Sequence, residues 1–150
     1  MSTVQALLSA GATRDKATCN GRTPLIVASQ NGRLPVVQAL VSAGAAVDAA
    51  DNEGFTSLFL ASQNGRLPVV QALISVGAHV NKAGNGGWTP LVAASRNGHL
   101  PVVQALMSVG AILEKAVNCD APPLLMASKY GHAEVAEALL SAGAAVDNAT

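Results

Sequence analysis

Residues 28–40 read ASQNGRLPVVQAL, and the same letters return at residues 61–73. A third copy at residues 94–106 reads ASRNGHLPVVQAL, and a more divergent fourth at residues 127–139 reads ASKYGHAEVAEAL. Each copy begins 33 residues after the one before it. Self-similarity at a fixed period of about 20–50 residues is the signature of an array in which small structural units stack on one another.

Each copy predicts a turn followed by two helices. The segments NGRTPL, EGFTSL and GGWTPL place a glycine before a threonine that can cap a helix, and proline suits the first helical position. A glycine ends this helix, and a Leu-Pro pair opens a second one with apolar residues three and four apart. One helix pair cannot bury its apolar face alone, whereas stacked pairs can. The candidate caps are Thr23, Thr56 and Thr89.

These features resemble the ankyrin repeat. The match lies in the Gly-x-Thr-Pro-Leu turn, the alanine of the first helix, the Asn-Gly break, the Val-Val-x-x-Leu helix and the Gly-Ala-x-Val-Asp loop, all present in residues 21–54. The resemblance implies an all-α fold, an ankyrin-repeat solenoid of stacked helix-turn-helix units joined by β-hairpin-like turns. It covers a single array, 1–150, with a half repeat at 1–17 and full repeats at 18–50, 51–83, 84–116 and 117–149.

The period predicts nine helices, one at about residues 3–10 and two in each full repeat, with no extended β-sheet. Two departures from the family pattern stand out. The histidine that follows Thr-Pro-Leu in the family hydrogen-bonds the turn, and its absence predicts turns that are less firmly held. The last repeat has Pro122 and Pro123 in place of Thr-Pro and Asp120 in place of the turn glycine. The residues in place of the histidine are Ile26, Phe59, Val92 and Leu125.

Composition restricts the partners and the compartment. The chain of 150 residues carries nine basic and nine acidic side chains, and without a surplus of Lys and Arg we expect no nucleic-acid partner. No apolar run is long enough to span a membrane. Cys19 and Cys119 lack the spacing of a zinc site, and free thiols fit a reducing, cytoplasmic location. Because only four residues are aromatic, we expect a core of Ala, Val and Leu.

The sequence predicts no catalysis, no metal site and no cofactor. Serines recur at one helical position without a histidine and an acid beside them, so we interpret them as small residues at a tight helix contact, with hydroxyls bonded back to the helix. His99 and His132 hold equivalent positions one repeat apart, roughly 8–10 Å, which is too far for one zinc ion, and we interpret both as structural. The serines are Ser29, Ser62, Ser95 and Ser128.

The resemblance implies that another protein binds on the concave surface formed by the turns and the first helices. Three of the four aromatics fall there, and the basic residues outnumber Glu53, which predicts a partner with an apolar patch edged by acidic groups. The alternative for Phe55 and Trp88 is that they fill contacts between the turns of adjacent repeats. The candidate binding residues are Arg22, Gln30, Asn31, Glu53, Phe55, Gln63, Asn64, Trp88, Arg96, Asn97, Lys129 and Tyr130.

A second hypothesis is an array without a dedicated partner, either an architectural spacer or an engineered or fragment array, because verbatim copies need recent duplication or deliberate construction. The outward-facing residues of the helices are copied between repeats, whereas the residues of the turns differ, and this favours the hypothesis of a binding module. An enzyme is the third and weakest alternative. The half repeat at the start predicts a fragment of a longer array.

Apolar residues at both ends of the array have no predicted neighbouring helix to cover them. We therefore expect end-to-end self-association or fraying. These residues are Val4, Leu7 and Leu8 at the start, and Val135, Leu139 and Leu140 at the end.

Overall fold

The computed structural model describes residues 16–113 and 122–143. Within these residues it contains four pairs of α-helices and one short 3-10 helix, and it contains no strand. The first helix of each pair has seven residues and the second has nine. The pairs are α1 (Pro24–Gln30) with α2 (Leu34–Ser42), α3 (Ser57–Gln63) with α4 (Leu67–Ser75), α5 (Pro90–Arg96) with α6 (Leu100–Ser108), and α7 (Pro123–Lys129) with α8 (Ala133–Ser141).

The helices keep the predicted period. Both the first and the second helices begin 33 residues after the equivalent helix of the preceding pair, so the all-α solenoid is confirmed. The predicted helix at about residues 3–10 lies outside the described residues, as do Val4, Leu7, Leu8 and Asp120. The repeat boundaries stay a prediction.

The turns between the pairs are tight but form no sheet in the described part of the chain. A single antiparallel bridge joins Ala50 to Thr56, which is the hairpin-like turn expected there. A 3-10 helix over Asn85–Gly87 was not predicted. It forms where Gly86 and Gly87 take φ values of 76° and 77°, a left-handed conformation that glycine adopts without a Cβ clash.

The threonine caps are confirmed. Thr23, Thr56 and Thr89 each accept a hydrogen bond at 3.2–3.3 Å from the backbone N–H three residues later. That N–H belongs to the position where the family carries histidine, so the cap still fixes the first turn of the helix. In the last pair Pro122 precedes the helix and forms no side-chain cap. The start of α7 is therefore the least firmly held of the four.

The core runs along the interface between consecutive pairs. The first helices share an alanine that belongs to the core, and the copies at Ala61, Ala94 and Ala127 are fully buried. With no larger side chain there, the first helices pack more closely on one another than the second helices do.

Two expectations about the core and its end are wrong. Phe59 is only 3% exposed, so one aromatic does belong to the core, in the position that the family gives to histidine. Val135 and Leu139 are buried because they face the preceding pair and their own first helix. The last described pair does expose apolar surface, but through Leu125 and Leu140, which are 48% and 43% exposed.

Candidate functional site

The turns and the C-terminal ends of the first helices carry the predicted binding residues, on the side of the stack that the first helices form. The threonine cap fixes the residue before each helix, and the glycine after each helix fixes the last helical pair of side chains. We call the twelve predicted binding residues the inner face. Six of them are exposed, six are half-buried, and none is buried. The exposed ones are Asn31, Glu53, Asn64, Asn97, Lys129 and Tyr130, and the half-buried ones are Arg22, Gln30, Phe55, Gln63, Trp88 and Arg96.

The cation at the start of the inner face is already paired. Arg22 Nε lies 3.5 Å from Asp51 Oδ2, and Arg22 Nη1 donates to Gln30 Oε1 at 2.9 Å. Asp51 is 8% exposed, and its Oδ1 also accepts from the backbone N–H groups of Glu53 and Phe55, both at 2.9 Å. Arg22 therefore ties the first pair to the turn of the second pair, and its charge is largely neutralised.

Phe55 fills a contact between turns. Its ring stacks on Phe59 with the centroids 4.2 Å apart and the planes 11° from parallel. A Cβ at Gly84, in the turn of the next pair, would overlap this ring. Phe55 and Trp88 both pack against a small cluster of buried residues. This placement fits the alternative proposed for both, because each side chain has a packing role whether or not a partner touches its exposed edge.

The third and fourth pairs bring together a half-buried ring, an exposed ring and two cations. The Arg96 guanidinium carbon lies 5.7 Å from the centroid of Trp88 and 5.0 Å from that of Tyr130. Lys129 Nζ lies 5.6 Å from the Tyr130 centroid. A cation over an aromatic face at such distances is attracted by the ring quadrupole. We call Trp88, Arg96, Lys129 and Tyr130 the ring–cation cluster.

The electrostatics of the ring–cation cluster act on the Tyr130 phenol. Its pKa is lowered from the ordinary 10.0, first because the Arg96 side chain can hydrogen-bond to the phenol oxygen, and then because the positive charges of Arg96 and Lys129 favour the phenolate. The ring is 44% exposed, so solvent screens these interactions. The cluster is thus a positive, partly aromatic surface that is open to water.

A second set of contacts joins each pair to the one before it. His99 Nε2 lies 3.0 Å from the carbonyl oxygen of Gln63, and His132 Nε2 lies 2.8 Å from that of Arg96. Arg66 Nε donates to the carbonyl of Gln30 at 3.3 Å. These carbonyls close the first helices, where backbone acceptors lack an intrahelical partner. The structural interpretation of both histidines is confirmed. Sequence reasoning missed Arg66, although its position after the helix-ending glycine is equivalent to theirs.

The inner-face asparagines are also engaged by backbone. Asn31 and Asn64 each donate to a carbonyl of their own helix, at 2.9 and 2.8 Å. Asn97 donates across the interface to the Gln63 carbonyl at 2.9 Å. These hydrogen bonds hold the exposed Asn side chains in fixed orientations, so this part of the inner face is rigid.

The recurring serines divide into two kinds. Ser128 donates to the Leu124 carbonyl at 2.8 Å, as predicted. Ser29, Ser62 and Ser95 are fully buried, and their hydroxyls have no hydrogen-bond partner in the described part of the chain, so the predicted bond back to the helix is wrong for these three. Each stands next to the shared alanine, where close helix packing favours a small side chain over a satisfied hydroxyl.

No three His, Cys, Asp or Glu side chains within residues 16–113 and 122–143 converge closely enough to hold a metal ion. In the same residues, no helix combines the length and the apolar character needed to cross a membrane.

A family model described as ankyrin repeats, three copies, matches residues 1–84 and again residues 81–150. No curated protein sequence gives a significant match to the chain.

Proposed function

The chain belongs to the ankyrin-repeat family, and on that premise we propose that it is a protein-binding module whose inner face takes another protein, without catalysis. Ankyrin repeats are generally protein–protein interaction modules. The single observation that supports this use of the inner face is the ring–cation cluster. It places a half-buried Trp and an exposed Tyr beside an Arg, and these are the residue types that most often anchor interfaces.

We propose that the partner carries an apolar patch edged by acidic groups. The rings of Trp88 and Tyr130 supply apolar contact area, while Arg96 and Lys129 supply positive charge beside them. A rigid stack offers this surface without ordering loops on binding, which avoids part of the entropy cost of association. Glu53 is exposed in the turn of the second pair, and its negative charge lies far from the ring–cation cluster in the sequence.

The second candidate is an array without a dedicated partner, as an architectural spacer or an engineered or fragment array. The verbatim copy at residues 28–40 and 61–73 supports it, because identical letters include exposed positions on the second helices that packing does not require. In contrast, the residue after the turn glycine changes from Arg22 to Phe55 to Trp88. Variation at this turn position favours a binding surface.

The experiment is an affinity pull-down with the full chain from its source cells, read by mass spectrometry. Trp88→Ala serves as the loss variant, and Gln104→Ala, an exposed change on the second helix of the same pair, serves as the matched control. We expect proteins that the wild type and the control retain and the Trp88 variant loses. For one such protein, the Trp88→Ala change should weaken binding by about 2 kcal/mol or more. A full set of partners retained by all three chains would contradict the proposal.

We further propose a cytoplasmic location and end-to-end self-association. Cys19 is a free, exposed thiol, which fits a reducing compartment. Leu125 and Leu140 leave apolar surface at the end of the array that a second copy can cover. Sedimentation velocity over a range of concentrations should show association that weakens in Leu140→Ser. A monomer at all concentrations would refute this part.

A further inference from the structure

We infer that an acidic segment of the partner binds to the inner face and places a carboxylate between Arg96 and Lys129, in the third and fourth helix pairs. The first pair contributes no charge recognition. This inference rests on the proposed function, and it names the partner's chemistry and the part of the surface that reads it.

The first step is the difference between the cations of the inner face. The carboxylate of Asp51 and the amide oxygen of Gln30 take up the Arg22 guanidinium, and Asp51 is itself nearly buried. A partner carboxylate at Arg22 would compete with a carboxylate that the fold holds in place through two backbone N–H groups. Arg22 is therefore closed to a partner, although its position in the repeat is equivalent to that of Trp88.

The second step is that the cations of the ring–cation cluster are open. The Arg22–Asp51 contact is the one ion pair found within the described ranges, 16–113 and 122–143, so neither Arg96 nor Lys129 has a carboxylate partner there. Arg96 lies close to two rings, and part of its guanidinium can bond to the Tyr130 phenol oxygen, which leaves further N–H groups that can donate. A guanidinium without a carboxylate partner can offer two of these N–H groups to one carboxylate.

The third step is the size of the positive surface. Two open cations can neutralise one or two anionic groups, and the whole chain has no net charge. A nucleic acid or another long polyanion needs a wider basic surface. Trp88 and Tyr130 flank the cations with apolar ring surface, so the segment that fits best alternates acidic side chains with apolar or aromatic ones.

The test uses a displayed library of short random peptides selected on the immobilised full chain, followed by calorimetry with the best synthetic binder. We expect enrichment of Asp or Glu next to apolar residues, and an affinity that falls with added salt. Arg96→Gln should weaken binding at least about tenfold, because a charge-assisted two-point contact is lost. Lys129→Gln should weaken it less, since a single flexible ammonium is lost.

Arg33→Gln is the matched control, because it removes the same charge from an exposed position outside the inner face, and it should leave the affinity within about twofold of wild type, a change too small to signify a lost charged contact. Arg22→Gln tests whether the first pair takes part: we expect it to lower the urea midpoint, since Asp51 loses its cation, and to weaken binding far less than Arg96→Gln does. Arg96→Lys keeps the charge without the planar fork and should restore only part of the affinity.

The outcomes separate the two proposals. If Trp88→Ala abolishes binding but Arg22→Gln and Arg96→Gln weaken it equally, or if the selected peptides carry no acidic residues, the polar docking is overturned while binding on the inner face stands. If no selected peptide depends on Trp88 at all, both proposals fail.

Discussion

Replacing Gly98 by alanine should destabilise the array more than the same change at Gly131, although both glycines end a first helix with nearly the same backbone. Their φ values are 74° and 77°, so both substitutions force an L-residue into the left-handed region, which costs about 1–2 kcal/mol. Only Gly98 has a neighbour in the way. A Cβ there would lie 2.5 Å from His132 Nδ1, whereas at Gly131 nothing lies within 4 Å.

The extra cost follows from the contact that must break. To clear the new methyl group, the His132 ring has to move, and its Nε2 then loses the 2.8 Å bond to the Arg96 carbonyl. A hydrogen bond of this kind contributes about 0.5–1.5 kcal/mol. We therefore expect about 1–2 kcal/mol for Gly131→Ala and about 1.5–3.5 kcal/mol for Gly98→Ala.

Urea unfolding followed by far-UV circular dichroism measures both values, provided that the slope of the transition is unchanged. A double-mutant cycle with His132→Ala tests whether the His132 ring causes the difference in stability between the two glycine variants. In that background Gly98→Ala should cost the same as Gly131→Ala. The reasoning is refuted if the two glycine variants are equally stable in the wild-type background, or if their difference survives the removal of the imidazole.

Three further results are expected. Leu91→Ala should cost about 2–5 kcal/mol because the side chain is fully buried, and Leu124→Ala should cost less because it is half-buried; urea midpoints in the reverse order would misplace the core. Tyr130 is the one tyrosine of the chain, so its absorbance titration should give a pKa below 10.0 that rises in Arg96→Gln, and a pKa unmoved by that change would reject the contact. Since the folded pKa is the lower one, the phenolate stabilises the fold above about pH 10, and this contribution is lost as the pH falls through the folded pKa and is absent at neutral pH. Finally, amides of α8 should exchange faster than those of α4, because within the described residues α4 packs on the second helices of two neighbouring pairs and α8 on that of one; equal protection in a monomer would count against this.

The 33-residue period was enough to place the helices in the described part of the chain, because capping threonines, helix-ending glycines and apolar spacing all recur in phase. Contacts that do not recur could not be predicted in this way. Asp51 pairs with Arg22, but the equivalent positions in the other repeats hold Thr18, Gly84 and Val117, so no pattern marked the carboxylate. Arg22 was therefore grouped with the open cations.

The burial of Phe59 was missed for a different reason. The position carries a polar ring in the family, and the low aromatic count of the chain favoured an aliphatic core. The burial belongs to the position, because Ile26 and Val92 at the equivalent places are fully buried as well, and only the stack on Phe55 is peculiar to this repeat. The ring–cation cluster was predicted as a set of neighbours on one face, but the position of Arg96 over both rings depends on side-chain conformations that spacing does not determine.

The backward contacts of Arg66, His99 and His132 bear on how such a chain can change length. Each donor reaches a carbonyl 36 residues earlier, and the second and third repeats each carry both a donor for the preceding repeat and an acceptor for the following one. An in-frame duplication or deletion of one of these two 33-residue blocks therefore reconnects every contact of this type. The Arg22–Asp51 pair has no such property, since neither residue recurs at the equivalent positions of the other repeats. Adding or removing whole blocks should therefore change these backward hydrogen bonds very little. Only the contacts that do not recur distinguish one block of the array from another.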